Sequence, residues 1–215
     1  MTNSKLYMYP HGDITQLFGM NPTLYSAVSD LRIKGHNGWD IARPYGTPVL
    51  AVCDGYIADV KDSPDGYGRH IRLISNKQDD GSYYEITYGH LSEIKVSIGQ
   101  RVTRGNVIGN CGNSGFVVSG GTPYWGGANP DNRGTHLHLT IRRLTDLANL
   151  YNPAPLLYPG DKYGYNVEDY TNGFSGAIDP APFFEDEIVG QAKSVIELAK
   201  ALIARVVQFL IAYKK

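Results

Sequence analysis

Two short motifs in the chain bring together side chains of the types that bind metal ions. The first, His36-x-x-x-Asp40, lies in the stretch GHNGWDIA, and the second is His136-Leu137-His138. Imidazole and carboxylate groups are good ligands for a borderline cation such as zinc, and catalytic zinc sites often use three protein ligands. His36, Asp40 and one histidine of the second motif would supply those three. Each motif alone occurs by chance, so the finding that matters is both motifs in one chain.

The residues around these motifs predict turns and strands. Gly35 and Gly38 frame the first motif and the β-like run ARPYGTPVLAV follows it, which favours a turn entering a strand over a helix. Along a strand side chains alternate, so both imidazoles of the second motif would face one side and its leucines the other. A further histidine, His90, lies at the end of the strand-like run YYEITYGHL.

The composition predicts a folded all-β protein. Short apolar or alternating runs recur from residue 1 to about residue 158, punctuated by Gly, Pro, Asn and Asp. No helical stretch separates them, which predicts an antiparallel sandwich or barrel. Lys and Arg number 20 against 21 Asp and Glu, so no global basic field exists to attract nucleic acid. Cys53 and Cys111 lie among apolar residues and are interpreted as buried small side chains.

Together these motifs resemble the lysostaphin-type, LytM-like zinc metallopeptidases. The likeness covers roughly residues 33 to 158, through GHNGWDIARPYGTPVLAVCDGYI, YGHLSEIKVSIGQRVTRGNVIGNCGNSG, HLHLTIRR and NPAPLL. The resemblance implies one Zn²⁺ per chain with His36, Asp40 and His138 as ligands, and no other cofactor. It implies His90 and His136 as an unligated pair that assists catalysis. It also implies antiparallel sheets that form a groove, with hairpins of the hybrid-motif kind.

The function that the resemblance implies is a zinc-dependent endopeptidase. Its substrate would be bacterial cell-wall peptidoglycan, cut in a stem peptide or a cross-bridge. The chain has no H-E-x-x-H motif, so no glutamate base is indicated in the usual metalloprotease position. Either His90 or His136 could take the proton of the attacking water instead. The alternative hypothesis is a non-catalytic module of the same fold that binds the wall or serves in phage assembly.

Two segments depart from the family pattern, the stretch 113–135 and the tail after residue 184. Residues 113–135 form a long glycine-rich stretch that would rim the groove, and Tyr124 and Trp125 within it are candidates to contact substrate. Residues 159–183, rich in Pro, Gly and Tyr, are expected to be a linker or a strap on the domain of residues 1–158. From 184 to 215 apolar residues recur at 4-3 spacing, which predicts an amphipathic helix. Its apolar face suits docking on the domain, self-association, a tether to a partner protein, or a membrane surface.

The N-terminus predicts no export signal. It lacks the basic and apolar regions of a signal peptide, and no run of about 18 apolar residues predicts a transmembrane segment. A phage lysin, carried in a virion or released at lysis, would reach the wall without a leader; a chain trimmed of its leader is the other explanation. His11 and His70 are interpreted as surface or rim residues, and Tyr25 as a further candidate to reach the site.

Overall fold

Strands dominate the fold. A computed structural model describes residues 8, 10–28, 33–126, 132–144, 167–184 and 203. In chain order the elements are β1 Asp13–Gln16, α1 Pro22–Val28, β2 Trp39–Ala42, β3 Pro48–Leu50, β4 Gly55–Lys61, β5 Arg69–Ser75, β6 Tyr83–Ile94, β7 Arg101–Val102, β8 Val107–Cys111, β9 Gly115–Ser119, β10 Thr122–Gly126, β11 His136–Leu144 and β12 Ala177–Ile178. The predicted all-β class is confirmed.

Ten of these strands join into one sheet in which every pairing is antiparallel. Its main order is β1-β2-β11-β6-β5-β4-β7, with β12 paired to β11 and with β8 paired to both β3 and β6. Strand β6 is twelve residues long, pairs with β5 and β11 over most of its length, and pairs with β8 at its end. The change of partner begins beside His90, whose φ of 60° bends the strand.

The central strands carry a core on one face and polar groups on the other, because side chains alternate along a strand. Alternate residues of β11 belong to the main hydrophobic cluster: Leu137, Leu139 and Ile141. The residues between them are polar and also buried: His138, Thr140 and Arg142. The register sets Glu85 and Thr87 of β6 opposite Arg142 and Thr140, so the same face stays polar across two strands. We call these five residues the polar face.

The buried charges of the polar face are paired with each other. Arg142 Nη1 donates to Glu85 Oε1 at 2.8 Å, and the Thr87 hydroxyl donates to the same oxygen at 3.1 Å. Both ionic side chains are about 1% exposed. Because removing one partner of a buried pair leaves an uncompensated charge, loss of either Arg142 or Glu85 is expected to destabilise the fold.

Residues 167–184 lie along the sheet. Strand β12 pairs with Ile141 and Arg142, and the Ser175 carbonyl accepts a hydrogen bond from Arg142 Nε at 2.9 Å. Phe183 and Phe184 end this segment inside the main core cluster. The strap therefore contributes both to the core and to the polar face.

Two elements were not expected from the sequence. Helix α1 begins after Asn21, whose carbonyl accepts hydrogen bonds from the amides of Leu24 and Tyr25, in a region assigned to β structure. Residues 115–126 are not a loop but the two-stranded hairpin β9–β10. The signal for the hairpin was Gly120-Gly121 between two strand-like runs; the φ values of these glycines, 56° and 79°, suit a tight two-residue turn.

The remaining predictions meet the structure only in part. Cys53 and Cys111 are buried and carry no disulfide, as interpreted. The predicted helix 184–215 lies outside the described residues except for Phe184 and Ile203, and the division of the chain at 158 and 183 stays a prediction. No helix within the described ranges is long and apolar enough to cross a membrane.

Phe184→Ala is expected to lower the free energy of unfolding by about 3–5 kcal/mol, because it leaves a cavity in the core. The ring is 1% exposed and its centroid lies 5.5 Å from that of Trp39. Ile98→Ala, at a side chain 40% exposed, is the control and should cost about 0.5 kcal/mol or less. Urea denaturation measures both, and equal costs would contradict the place of the Phe184 ring in the core.

Candidate metal centre

A turn and two neighbouring strands bring the three candidate ligands together. His36 lies three residues before the start of β2, Asp40 lies on β2 and His138 lies on β11. The register of these antiparallel strands pairs Asp40 directly with His138. The first motif thus works as a turn entering a strand, as its glycines predicted, and the second as an extended strand.

Three atoms of these side chains form a nearly equilateral triangle, which we call the ligand triangle. His36 Nε2 lies 3.0 Å from Asp40 Oδ1 and 3.1 Å from His138 Nδ1. The third edge, from His138 Nδ1 to Asp40 Oδ1, is 2.9 Å. Ligand atoms about 2.0–2.1 Å from a tetrahedral zinc ion stand about 3.3 Å apart. The ligand triangle therefore has close to the size that a shared zinc ion requires.

Hydrogen bonds behind each imidazole decide which nitrogen faces the ligand triangle. The Leu17 carbonyl lies 3.1 Å from His36 Nδ1, and since a carbonyl only accepts, Nδ1 carries the proton and Nε2 a lone pair. Thr140 Oγ1 lies 2.8 Å from His138 Nε2, so Nε2–H can donate there and leave a lone pair on Nδ1. With the carboxylate, three electron-pair donors then converge, and such a set fits a cation held between them.

Gly38 allows this close approach. A Cβ at Gly38 would lie 2.3 Å from the Leu139 carbonyl oxygen, 2.9 Å from Thr140 Oγ1 and 3.0 Å from His138 Nε2. It would therefore collide with the backbone of β11 and with the hydrogen bond that orients His138. Within this motif, glycine is the residue that lets the turn before β2 lie against β11.

The unligated pair, His90 and His136, stands beside the ligand triangle. Their ring centroids are 4.6 Å apart, and His136 Nε2 is 3.3 Å from Asp40 Oδ1. His90 Nδ1 donates to the Ser114 carbonyl at 2.8 Å, and His136 Nδ1 donates to the Gly134 carbonyl at 2.7 Å. Each ring is thus held in place through Nδ1, and Nε2 of His136 faces the Asp40 carboxylate.

The backbone of His90 is itself unusual. Its φ of 60° lies in the left-handed region that residues other than glycine seldom occupy. The His90 amide donates to the Tyr67 carbonyl at 2.8 Å. Strained backbone persists only where the surroundings enforce it. The positive φ therefore indicates that the surrounding structure fixes the position of His90.

Burial and mutual charge shift the pKa of the clustered groups. Burial would raise the pKa of the Asp40 carboxyl, but the charge of His136 and the close approach of the imidazole nitrogens of His136, His138 and His36 together hold it well below its usual value. Burial lowers the pKa of His138 to about 4 against the attraction of Asp40. Burial, followed by His136 and His138, holds the pKa of His90 well below its ordinary range. Burial also opposes the charged form of His136, but Asp40 outweighs it and raises the pKa.

Three other residues were considered as candidates: Tyr25, His11 and His70. Tyr25 of α1 lies near the site, with its ring 5.7 Å from that of His36 and its hydroxyl accepting a bond from Gln16 at 3.2 Å. His11 is exposed, as interpreted. The interpretation of His70 as a surface or rim residue is wrong, because β5 buries it to 4% exposure. Its ring lies 5.8 Å from that of Tyr67 and outside the ligand triangle.

Hairpin β9–β10 carries Tyr124 and Trp125, the two candidates for substrate contact. Trp125 is 58% exposed, its indole N–H donates to Asp65 at 3.0 Å, and its ring lies 5.0 Å from that of Phe116. The Arg133 guanidinium lies 4.7 Å over the ring of Tyr124. The hairpin begins directly after Ser114, whose carbonyl accepts a hydrogen bond from His90, and we call Tyr124 and Trp125 the hairpin rim.

Sequence reasoning missed two residues that contact the site, Tyr67 and Asn37. The ring of Tyr67 stacks on that of His138 at 5.0 Å, and Asn37 donates to the Tyr67 hydroxyl at 2.6 Å. Asn37 follows a candidate ligand directly, which is the only local hint. Tyr67 comes from a turn before β5, and no feature of that turn predicts the contact.

Comparison with known proteins gives a family, two relatives and a fold. The model of peptidase family M23 matches residues 34–151. The peptidoglycan DD-endopeptidase ShyA of Vibrio cholerae is 41% identical over 87 residues, 40% of this chain and 19% of that protein. The glycyl-glycine endopeptidase ALE-1 of Staphylococcus capitis is 38% identical over 84 residues, 39% of this chain and 22% of that protein.

These relatives are much longer than the matched region, and the chain spans about a fifth of their length. The solved structure of LytU resembles this fold with a TM-score of 0.51 and 23% sequence identity, and the match covers 83% of this chain and 88% of that one. That likeness establishes the fold alone.

Gly38→Ala is expected to weaken zinc binding by roughly 10- to 100-fold, the usual cost of disturbing the groups that orient a metal-binding histidine. Gly89→Ala is the matched control, since a Cβ there would make ordinary 3.4 Å contacts with the side chains of His138 and Tyr67. Competition with a chromogenic chelator measures both affinities. A folded Gly38→Ala protein with unchanged affinity would contradict the packing described here.

Proposed function

The chain belongs to peptidase family M23, and on that premise we propose that it is a zinc-dependent endopeptidase of bacterial cell-wall peptidoglycan. One observation carries the proposal: three lone-pair atoms converge within 3.1 Å beside two imidazoles held for proton transfer. The substrate class follows from the relatives, because ShyA is a peptidoglycan DD-endopeptidase and ALE-1 a glycyl-glycine endopeptidase. The bond cut by this chain lies in a stem peptide or a cross-bridge.

One zinc ion would be held by His36 through Nε2, by the Asp40 carboxylate and by His138 through Nδ1. Bound there, zinc supplies a Lewis acid that lowers the pKa of a water molecule and polarises the scissile carbonyl. The carbonyl of Leu17 and the hydroxyl of Thr140 keep the two imidazoles turned toward it.

His90 and His136 are the groups that move protons. The Asp40 carboxylate belongs to the ligand triangle and Glu85 is paired with Arg142 at 2.8 Å, so these two carboxylates are engaged elsewhere. An imidazole whose Nδ1–H is tied to a carbonyl can accept the water proton at Nε2, and a protonated one can stabilise the oxyanion and protonate the leaving amine. The 4.6 Å between the two rings lets one scissile peptide contact both.

The hairpin rim is proposed to bind the substrate. Trp125 keeps most of its surface exposed although its N–H is bonded to Asp65, and a fixed, exposed indole offers a flat surface to a peptide or a sugar ring. Tyr124, with Arg133 over its ring, extends that surface.

Chelation followed by metal replacement tests the proposed function. Purified cell walls of different cross-bridge types are digested and the fragments identified by mass spectrometry; a chelator should abolish cleavage and zinc should restore it. His138→Ala should lose both metal and activity, since it removes a ligand. His90→Ala should keep the metal and lose roughly 10²- to 10⁴-fold in rate.

Two results would count against the proposal. A purified protein that takes up no stoichiometric zinc and leaves every wall type intact would favour a non-catalytic module. A fully active His90→Ala protein would remove His90 from the proton transfers while leaving the metal centre in place.

Trp125→Ala is expected to raise KM for cell-wall fragments roughly three- to tenfold and to leave kcat nearly unchanged, because it removes a binding surface and no reacting group. Val107→Ala is the control, since Val107 is 45% exposed on β8. Steady-state kinetics on a soluble fragment measures both. Unchanged KM in the Trp125 variant would exclude the rim from substrate binding.

A further inference from the structure

Tyr67 lies at a crossing of the segments that carry the functional histidines. It comes from the turn between β4 and β5. The next residue, Gly68, has a φ of 61° and packs against the Ser114 backbone so closely that a Cβ would lie 2.3 Å from it. This glycine brings the turn against the start of the hairpin segment. From there the Tyr67 carbonyl accepts the amide of His90 at 2.8 Å.

The side chain of Tyr67 covers the imidazole of His138. The two ring centroids are 5.0 Å apart and the planes differ by only 26°. A Cβ at Gly89 of β6 would be in ordinary contact with both side chains, so the ring lies over the sheet where β6 meets β11. His138 is thus held on one face by Tyr67 and at Nε2 by Thr140.

The hydroxyl of Tyr67 is anchored from two sides. Asn37, adjacent to His36, donates to it at 2.6 Å, and Arg142 Nη2 donates to it at 3.4 Å. Asn37 is 7% exposed and Arg142 is 1% exposed. The ion pair with Glu85 and the Ser175 carbonyl fix the position of Arg142. The Tyr67 hydroxyl therefore connects the turn that carries His36 to the buried polar face that includes His138.

We propose that Tyr67 is a positioning residue that sets the orientation of His138 and of the turn carrying His36, and through them the geometry of the ligand triangle. The inference rests on the proposed zinc site. It assigns a role to a residue outside both motifs, and it gives the buried Arg142–Glu85 pair a purpose in the site. Tyr67 touches ligands and their supports, and is assigned no bond to the substrate.

Tyr67→Phe is the decisive variant, because it keeps the stacked ring and removes only the hydroxyl. The zinc dissociation constant should rise about tenfold, and the visible spectrum of the cobalt(II)-substituted protein should change, since that spectrum reports ligand geometry. On cell-wall fragments kcat should fall while KM stays nearly unchanged. Tyr67→Ala, which also removes the stacked ring, should have a larger effect on each measurement.

A double-mutant cycle with Asn37→Ala separates positioning from simple space filling. Both single variants break the same 2.6 Å hydrogen bond, so the double variant should weaken zinc binding hardly more than either one. Tyr83→Phe is the matched control, because Tyr83 begins β6, at the opposite end from His90, and packs against a separate small cluster that includes Leu144. It should leave zinc affinity and the cobalt spectrum at the wild-type values.

The outcomes distinguish this inference from the function on which it rests. If Tyr67→Phe matches the wild type in zinc affinity and cobalt spectrum, while the wild type binds zinc and cleaves cell walls, Tyr67 only fills space and the inference is overturned. A change in thermal stability with both metal readouts unaltered would overturn it equally. If the wild type binds no zinc, the proposed function itself fails.

Discussion

Three electron-pair donors lie within 3.1 Å of one another in the ligand triangle, and they repel each other unless a cation lies between them. The surrounding strands and turns must hold these three atoms together against that repulsion. The pairing of Asp40 with His138 across β2 and β11 supplies one edge. The turn before β2 supplies the other two, and it can approach because Gly38 carries no side chain.

Burying polar groups under the metal centre is costly unless each finds a partner. The fold meets this cost with a connected set of bonds, in which Arg142 pairs with Glu85 and donates to Tyr67 and to the Ser175 carbonyl. The last of these partners belongs to the strap, which lies beyond the residues matched by the family model. The hydrogen bonds that support the ligand triangle therefore include one to a residue outside the range that the family model matches.

The segment 113–135 is hydrogen-bonded near both of its ends to the imidazoles of His90 and His136. The Ser114 carbonyl accepts a hydrogen bond from His90, and the Gly134 carbonyl accepts one from His136. Gly134 also packs against β9, since a Cβ there would lie 2.7 Å from the side chain of Val117. Hairpin β9–β10, with Tyr124 and Trp125, lies between these two carbonyls along the chain. The proposed substrate rim and the proposed proton-transfer pair are thus both tied to one segment of chain.

Local sequence patterns were enough to predict the all-β class, the turn before β2 and the common side of His136 and His138, because each follows from periodicity and from glycines within a few residues. The stacking of Tyr67 on His138, the burial of His70 and the docking of the strap emerge only in the folded chain. Those contacts join residues far apart in the chain, and the order of strands in the sheet, which no local pattern encodes, brings them together.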